Sequence, residues 1–318
     1  MKKDKRFSLR LRTYYLLIIA IVVIISFGAV VGALTALQQL GVIGHINSSC
    51  TLAGAPIYNK AGLVQITTCS SSPKISDAGD YIFRVWNSDK YTARFNVEAI
   101  LEKGYSKVGI VYENNDYGLG AYEVAVEVLG EAGITPLVAE AYLLGETKDF
   151  STIITKMKDA GVEAVFAVSD ETELPMFMKQ SHQLGFNPFV TSTGTYNNVV
   201  VELGGQDVEG LYGATFFDPS NPPEKIAAFF KTLNTRFADE GATEKDANAQ
   251  TITSYVATQM IIEGLKQNGV SREGVKNYLT GLQDFETPMG PISFDENGDT
   301  VIPLTRMVIE NGTFVFAD

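Results

Sequence analysis

Short apolar segments alternate with segments of helical periodicity between residues 81 and 216, and this alternation limits the possible folds more than any other feature. The apolar segments predict strands at 81–85, 107–112, 134–141, 164–168, 189–192 and 211–216. The segments between them predict helices at 89–103, 117–132, 150–160, 173–184 and 197–203. Strands that alternate with helices are joined by right-handed crossovers. We therefore expect an α/β protein with doubly wound parallel sheets.

The pattern changes after residue 217. The segments 224–240 and 248–268 predict long helices, and 272–282 predicts a shorter one. Two Asn-Gly pairs, which begin at Asn297 and Asn311, then separate short apolar runs, and this arrangement is typical of β-hairpins. We expect the corresponding strands at 290–294, 302–309 and 313–316.

The stretch 41–73 is the best candidate for a binding site. Its first apolar run is followed by polar residues and by a helical segment that begins near Ser48. The first backbone N–H groups of that helix, including those of Ser49 and Cys50, can hold an anion. A second polar cluster, 69–72, follows the next strand, and the carboxyl ends of parallel strands face one crevice. Each cluster alone is also typical of a helix cap or a loop.

Three more residues follow predicted strands on the same side of the sheet. Tyr117 lies in the segment NNDYGLG (114–120), where its ring can cover a ligand while its hydroxyl remains hydrogen-bonded. Asp170 can meet a ligand ammonium, and Thr193 follows the strand that contains FVTS. The alternative for Asp116 and Asp170 is that each caps the helix that follows it.

A long uncharged run near the N-terminus predicts an extracytoplasmic protein. Residues 14–34 are almost wholly apolar and long enough to cross a bilayer, whereas residues 1–12 carry six basic side chains and one acidic side chain. We favour a cytoplasmic tail (1–13) and a transmembrane anchor (14–37); a cleaved signal peptide is the alternative. Either assignment places the remainder at the cell surface or in the periplasm, and cleavage would release it as a secreted protein.

Net charge and motif content exclude several functions. The formal net charge of −12 argues against a nucleic-acid partner. The chain has no nucleophile elbow, no glycine-rich phosphate loop and no metal-ligand spacing, so we expect neither an enzyme nor a bound cofactor. Its two histidines, His45 and His182, offer no convincing catalytic arrangement.

Two cysteines, Cys50 and Cys69, lie at the edge of the predicted crevice. An oxidising compartment would allow a disulfide between them if their Cα atoms lie within about 7 Å. Two small buried thiols are the equal alternative.

Five ordered segments carry a resemblance to a known family: VIGHINSSCTLAGAPIYNKAGL, YIFRV, KVGIVYENNDYGLG, KDFSTIITKMKDAGVEAVF and TPMGPISFDENGD. They resemble the branched-chain amino acid (leucine-type) solute-binding proteins of ABC importers, which have the type I periplasmic binding fold. The resemblance covers residues 40–318. It implies a receptor for a small amino acid-like ligand, with ABC permease subunits as partners and hinged closure of two lobes. Lobe one would comprise 38–88 and 218–308, and lobe two 89–217 and 309–318.

The resemblance also implies roles for individual residues. The carboxylate-binding serine of the family falls on Ser48, the two contacts after the following strand fall on Cys69 and Ser71, and the covering tyrosine falls on Tyr117. Two positions depart from the leucine-binding pattern: Asp170 replaces an aromatic residue, and Thr193 replaces the glutamate that pairs with the ligand ammonium. Because an unpaired buried ammonium is costly, either Asp170 substitutes for that glutamate or the ligand is not a simple aliphatic amino acid.

A larger departure lies at the start of the fold. The family begins with a strand, a helix, a strand and a helix before the strand VIG, and here the apolar run stands in their place. We therefore expect lobe one to be incomplete and marginally stable, and lobe two to be stable. The chain could be truncated, a paralogue that no longer binds, or a membrane-tethered variant completed by another chain. A ligand-sensing ectodomain tethered to the membrane is the alternative function.

Overall fold

The computed structural model describes residues 40–193, 198–219, 221–241 and 248–317. The strands within these residues are β1 Val42–Ile43, β2 Gln65–Thr67, β3 Ile82–Arg84, β4 Val108–Glu113, β5 Val138–Tyr142, β6 Ala164–Val168, β7 Phe189–Thr193, β8 Tyr212–Thr215, β9 Thr305–Glu310 and β10 Thr313–Phe316. The helices are α1 Ser48–Ala61, α2 Asp89–Glu102, α3 Asp116–Glu131, α4 Ser151–Asp159, α5 Glu173–Gln183, α6 Asn198–Gly204, α7 Glu224–Asp239, α8 Ala249–Asn268 and α9 Arg272–Leu279. The strands form two separate sheets.

The larger sheet has seven strands in the order β10-β9-β8-β7-β6-β4-β5. Strands β5, β4, β6, β7 and β8 are mutually parallel, whereas β9 is antiparallel to both β8 and β10. All five residues of β6 are buried, as expected for a central parallel strand with helices on both faces. The predicted parallel α/β architecture is therefore present in this part of the chain.

The smaller sheet contains three parallel strands in the order β1-β2-β3. Its pairing is short: Val42 and Ile43 align with the first two residues of β2, and β2 aligns with all three residues of β3. Helix α1 connects β1 to β2, and Gly62 ends that helix in the left-handed conformation, with φ of 60°.

Each sheet has its own apolar core. One face of the larger sheet packs against α4 and α5 around Phe150, Ile154 and Phe177, and the other packs against α2 and α3 around Ile100 and Phe166. The smaller sheet packs one face against α7, α8 and α9; the buried core residues there include Ile66, Phe230, Ile252 and Val275. Its α1 side has a much smaller buried cluster, which consists of Ala55, Ile75 and Ile82.

Three connections join the two sheets, because the chain passes from β3 to α2, from β8 to α7, and from the 300–304 segment to β9. Asn87 ties the first connection to the third: its Nδ2 donates to Ile302 O at 2.8 Å, and its Oδ1 accepts from Ile302 N–H at 2.7 Å. Trp86 packs edge-on against Phe216, with 4.7 Å between ring centroids, which joins the first connection to the second. The boundary predicted at residue 308 falls inside β9.

Two secondary-structure predictions are corrected. Residues 290–294 form no strand; only an isolated bridge between Phe285 and Ile292 is present, while Ile292 and Phe294 are buried against the smaller sheet. The shorter helix predicted at 272–282 ends at Leu279.

The apolar run 14–34 lies outside the described residues. Among the helices that the structure describes, none is both long and apolar enough to span a membrane.

Candidate functional site

A cavity of about 210 Å³ lies between the two sheets, where the carboxyl ends of their strands meet. Its wall comprises Ile46, Asn47, Ser48, Cys69, Ser71, Trp86, Asp89, Thr92, Glu113, Tyr117, Asp170, Thr193 and Gln250. Ser71 follows β2, Glu113 ends β4, and Asp170 follows β6. The cavity is therefore at the position where open α/β sheets bind ligands.

The N-terminus of α1 borders this cavity. Asn47 has the extended backbone of an N-cap, but its side chain accepts no hydrogen bond from the first turn of α1. The first N–H groups of the helix have no intrahelical acceptor and lie at the positive end of the helix dipole. Ser48 is buried, and its Oγ accepts a hydrogen bond from Ser72 N–H at 3.2 Å. This corner provides hydroxyl and amide donors for a carboxylate.

A network of hydroxyl groups fixes the turn between β1 and α1. Ser70 Oγ donates to the carbonyl oxygens of His45 at 3.1 Å and Ile46 at 2.9 Å, and it lies 2.8 Å from Thr51 Oγ1. Thr67 Oγ1 also donates to His45 O, at 2.5 Å. The network holds the start of α1 against the end of β2, and this arrangement brings Ser48 and Ser71 to one cavity.

Tyr117 closes the cavity on the side of the larger sheet. Its hydroxyl donates to Thr193 O at 2.8 Å and lies 2.8 Å from Thr193 Oγ1. Burial raises the pKa of this hydroxyl well above its ordinary value, and the negative charges of Asp89 and Glu113 raise it further. Tyr117 is therefore a neutral, anchored ring, and Thr193 positions it.

Glycine allows α3 to approach the smaller sheet closely. A Cβ on Gly120 would lie 2.8 Å from Pro73 Cδ and 3.0 Å from Ser72 Oγ, and a Cβ on Gly118 would lie 2.0 Å from Glu113 O. A larger residue at Gly120 would push the start of α3 away from the smaller sheet, and a larger residue at Gly118 would clash with the end of β4. The segment NNDYGLG thus places Tyr117 across the cavity from the smaller sheet.

Three carboxyl groups line the wall: Asp89, Glu113 and Asp170. Burial raises the pKa of Asp89 to about 7, although Ser71 and the charge of Arg84 oppose this shift. Burial, reinforced by the charge of Asp170, raises the pKa of Glu113 to about 7 as well. Desolvation raises the pKa of Asp170, and the charges of Glu173 and Glu171 act in the same direction. Among the described residues that line the cavity, no lysine, arginine or histidine stands beside these three carboxyl groups.

The remaining wall is apolar or weakly polar. Trp86 and Ile46 contribute apolar surface, and Cys69 contributes its thiol. Burial raises the pKa of the Cys69 thiol to about 12, so this cysteine is protonated and unreactive at neutral pH.

Both cysteines are free, and the disulfide considered for Cys50 and Cys69 is not formed. The physical reason is their placement, because Cys50 is exposed on α1 whereas Cys69 faces the cavity. The alternative of two buried thiols also fails for Cys50.

Six of the seven predicted ligand-binding residues lie on the cavity wall: Ser48, Cys69, Ser71, Tyr117, Asp170 and Thr193. Ser49 does not, because its hydroxyl is turned toward α3 and accepts a hydrogen bond from Asp116 N–H at 3.2 Å.

The sequence reading missed the carboxyl groups of Asp89 and Glu113. Both are buried; Asp89 is the first residue of α2, five residues after β3 ends, and Glu113 is the last residue of β4. In the sequence, both positions are typical of exposed residues, and Trp86, Thr92 and Gln250 carry no signal either. Within the described residues, no cluster of side chains has the composition of a metal site.

The sequence profile of the periplasmic binding proteins matches residues 30–312. The chain belongs to the periplasmic binding protein family. Members of this family are non-catalytic, substrate-binding receptors, so the expectation that the chain is not an enzyme is confirmed.

The chain is also similar in sequence to two curated binding proteins. The chain is 27% identical over 271 residues to Leu/Ile/Val-binding protein homolog 1 of Brucella melitensis, covering 82% of this chain and 69% of that protein. It is 28% identical over 265 residues to the leucine-, isoleucine-, valine-, threonine- and alanine-binding protein of Pseudomonas aeruginosa, covering 81% and 68%. The predicted resemblance to branched-chain amino acid binding proteins is confirmed.

Solved structures have the same fold. A leucine-binding protein of Thermotoga maritima superimposes with a TM-score of 0.77 and 22% identity, over 88% of this chain and 79% of that chain. A solute-binding protein of Rhodopseudomonas palustris, solved with benzoate, gives 0.77 at 14% identity, over 88% and 77%. The type I periplasmic binding fold is therefore the architecture of this protein.

Proposed function

We propose that this protein is the substrate receptor of an ABC importer and that it binds a small α-amino carboxylate in the cavity between its sheets. The observation that carries this proposal is the polarity of the cavity. One corner offers the start of α1 with the Ser48 and Ser71 hydroxyls, and three carboxyl groups lie elsewhere on the wall. An amino acid has the complementary pair of charges.

The two ends of an α-amino carboxylate fit adjacent groups. The carboxylate would lie at the first N–H groups of α1, including those of Ser49 and Cys50, and at Ser48 and Ser71. The ammonium would lie beside Asp89, because Asp89 N–H donates to Ser71 O at 2.8 Å and the two residues are therefore neighbours. The curated relatives, which are named for binding leucine, isoleucine and valine, support an amino acid as ligand.

The two sheets would act as two lobes that close on the ligand. Contacts between them already surround the cavity: Asp116 N–H donates to Ser49 Oγ, and Lys74 Nζ lies 4.0 Å from Asp116 Oδ1. The ion pair is exposed and the hydrogen bond is only partly buried, so both can open and close at low cost. Hinged closure would bury the ligand under Tyr117.

The location and partners follow from this function. The domain would lie outside the cytoplasm, held by the anchor predicted at 14–37 or released after cleavage, and it would deliver its ligand to membrane permease subunits. Tethering to the membrane is consistent with an importer receptor and with a sensing ectodomain; a permease and ATPase gene pair beside its gene would favour the importer.

Binding is tested by calorimetric titration of the full chain with the twenty common amino acids, small carboxylates and amides. We expect at least one α-amino carboxylate to bind. Ser48→Ala should weaken that binding by about 10- to 100-fold, because a hydrogen bond to a charged group contributes about 1.5–3 kcal/mol.

Ser271→Ala is the matched control. Ser271 also stands at the start of a helix, where its Oγ accepts from Gly274 N–H at 2.9 Å, but it does not line the cavity. This variant should lose helix-cap stability and retain affinity. Binding that is unaffected by Ser48→Ala, or binding of carboxylates and amides but of no amino acid, would contradict the proposal.

A further inference from the structure

The charge of the cavity wall does not match a neutral amino acid. Asp89, Glu113 and Asp170 line the cavity, and the described residues that line it include no lysine, arginine or histidine. The positive charge of Arg84 acts on Asp89, but the guanidinium already has other partners. Its Nε and Nη2 donate to Asp299, and its Nη1 donates to Ser72 O. A zwitterionic ligand would bring one ammonium to three carboxyl groups.

Unpartnered polar atoms on the same wall indicate that a ligand completes the site. Asp89 is 1% exposed, and neither of its carboxylate oxygens has a well-formed hydrogen bond among the described residues, although the Ser71 hydroxyl is near enough to lower its pKa. Thr92 Oγ1 also lacks a partner there, and Thr92 is 7% exposed. Buried polar groups without partners are costly, so a ligand that supplies donors would stabilise this arrangement.

The three carboxyl groups fall into two locations. Asp89 lies beside Ser71 on the carboxylate-binding side, as described above. Glu113 and Asp170 lie on the larger sheet, at the ends of the adjacent strands β4 and β6. Glu113 is held from behind: Asn115 Nδ2 donates to its Oε2 at 2.8 Å, and the Tyr142 hydroxyl donates to its Oε1 at 3.3 Å. Both donors are neutral, so they orient the carboxylate without cancelling its charge.

We propose that the ligand is a basic amino acid, with an amine or guanidinium at the end of its side chain that binds between Glu113 and Asp170. The inference rests on the proposed function and specifies its ligand. The α-carboxylate and α-ammonium occupy the side of Ser48, Ser71 and Asp89, and the aliphatic part of the side chain crosses the cavity. A volume of about 210 Å³ is below the range typical of drug-sized ligands, which suits a single amino acid.

The test compares basic ligands with neutral analogues of similar shape, by calorimetric titration of the full chain. The pairs are L-lysine against N-ε-acetyl-L-lysine and L-arginine against L-citrulline; L-leucine and cadaverine complete the panel. We expect at least one basic member to bind at least about 30-fold more tightly than its neutral partner, as is typical when one charge of a buried pair is removed.

Two variants test where the charged end of the ligand side chain binds. Glu113→Gln and Asp170→Asn should each reduce the preference for the basic ligand over its neutral analogue by at least about tenfold. Glu163→Gln is the control, because Glu163 is exposed and pairs with Lys107 away from the cavity, and it should leave the preference unchanged. Asp170 is exposed at the cavity mouth, so its variant keeps the test valid if Glu113→Gln does not fold.

The outcomes separate this inference from the proposed function. Binding of leucine or of a neutral analogue as tight as that of the basic ligands would overturn the inference and leave the proposed function intact. Binding of cadaverine as tight as that of lysine would overturn the carboxylate site and the inference together. An absence of binding by every compound in the panel would reject the inference, and the wider titration with Ser48→Ala would then decide the proposed function separately.

Discussion

The two sheets of this protein are stabilised in different ways. The larger sheet is covered by apolar side chains on both faces, with Phe150 and Phe177 on one side and Phe166 on the other. The smaller sheet has a comparable core only on the side of α8; on the side of α1, its buried cluster within the described residues is limited to Ala55, Ile75 and Ile82.

Hydrogen bonds and one ion pair compensate on the α1 side. Arg84 is fully buried in β3, donates to Asp299 through Nε at 2.9 Å and through Nη2 at 2.6 Å, and donates to Ser72 O at 2.9 Å. Ser72 in turn donates to Ser48, which lines the cavity. The side of the cavity that contains Ser48 therefore depends on a polar network, whereas the opposite side rests on an apolar core.

Removal of the buried arginine should produce the largest effect. We expect Arg84→Ala to lower the free energy of unfolding by about 3–5 kcal/mol, because it leaves a poorly exposed Asp299 carboxylate without its partner. Arg94→Ala, which removes an exposed ion pair with Glu131 beside the larger sheet, should cost less than about 1 kcal/mol. Urea denaturation measures both values, and equal losses would refute the difference between the two sheets.

Truncation of matched core residues should show whether the two sheets unfold separately. Ile66 in β2 and Ile110 in β4 are both fully buried, so each change to alanine should cost about 2–5 kcal/mol. We expect Ile66→Ala to produce an early transition of the smaller sheet alone. Fluorescence of Trp86, the one tryptophan of the chain, should then change at lower urea concentration than far-UV circular dichroism. Coincident transitions in that variant would argue that the sheets unfold as one unit; Ile110→Ala is the control in which both signals should move together.

Loss of a contact in the connection between the sheets should lower the free energy of unfolding by an intermediate amount. Asn87→Ala removes both hydrogen bonds to Ile302 and leaves a buried backbone N–H and C=O, so we expect a loss of about 1–3 kcal/mol in urea denaturation. Asn114 is exposed, and Asn114→Ala should change stability by less than about 0.5 kcal/mol. A fully stable Asn87→Ala protein would show that this pair does not join the connections.

Removal of the N-cap residues of the two helices that begin at the cavity should give the smallest difference in unfolding free energy. Asn115 caps α3, because its Oδ1 accepts from Gly118 N–H at 2.9 Å, whereas Asn47 makes no such bond at α1. We expect Asn115→Ala to cost about 1 kcal/mol and Asn47→Ala to cost less than about 0.5 kcal/mol in thermal or urea unfolding. Equal costs would contradict the interpretation that the start of α1 is left open for a ligand.

Sequence patterns predicted the larger sheet better than the smaller one. Buried parallel strands such as β6 are uniform apolar runs, and glycines such as Gly161 mark the helix ends, so the pattern is unambiguous. The predicted hairpin strand at 290–294 failed because burial and strand pairing are separate properties. Ile292 and Phe294 are buried, but the turn at Gly298 brings Asp299 beside β3, where it pairs with Arg84 and not with a hairpin partner.

The candidate site was predicted in part for a similar reason. Ser48, Ser71 and Tyr117 follow from the rule that the carboxyl ends of strands face one crevice. Asp89 follows a serine at the start of a helix and Glu113 precedes a polar turn, and in sequence both positions are typical of exposed residues. Their burial results from the approach of the two sheets, which no local pattern records.

Hydrogen exchange of the full chain, measured with and without a bound basic amino acid, tests the comparison most directly. Without ligand, we expect the amides of β2 and β3 to exchange faster than those of β4 and β6, because the smaller sheet opens at lower free energy. With ligand, protection should rise mainly in β2, β3 and the first turn of α1, so that the exchange rates of the two sheets become similar. Equal protection of both sheets without ligand, or a ligand effect confined to the larger sheet, would contradict the account.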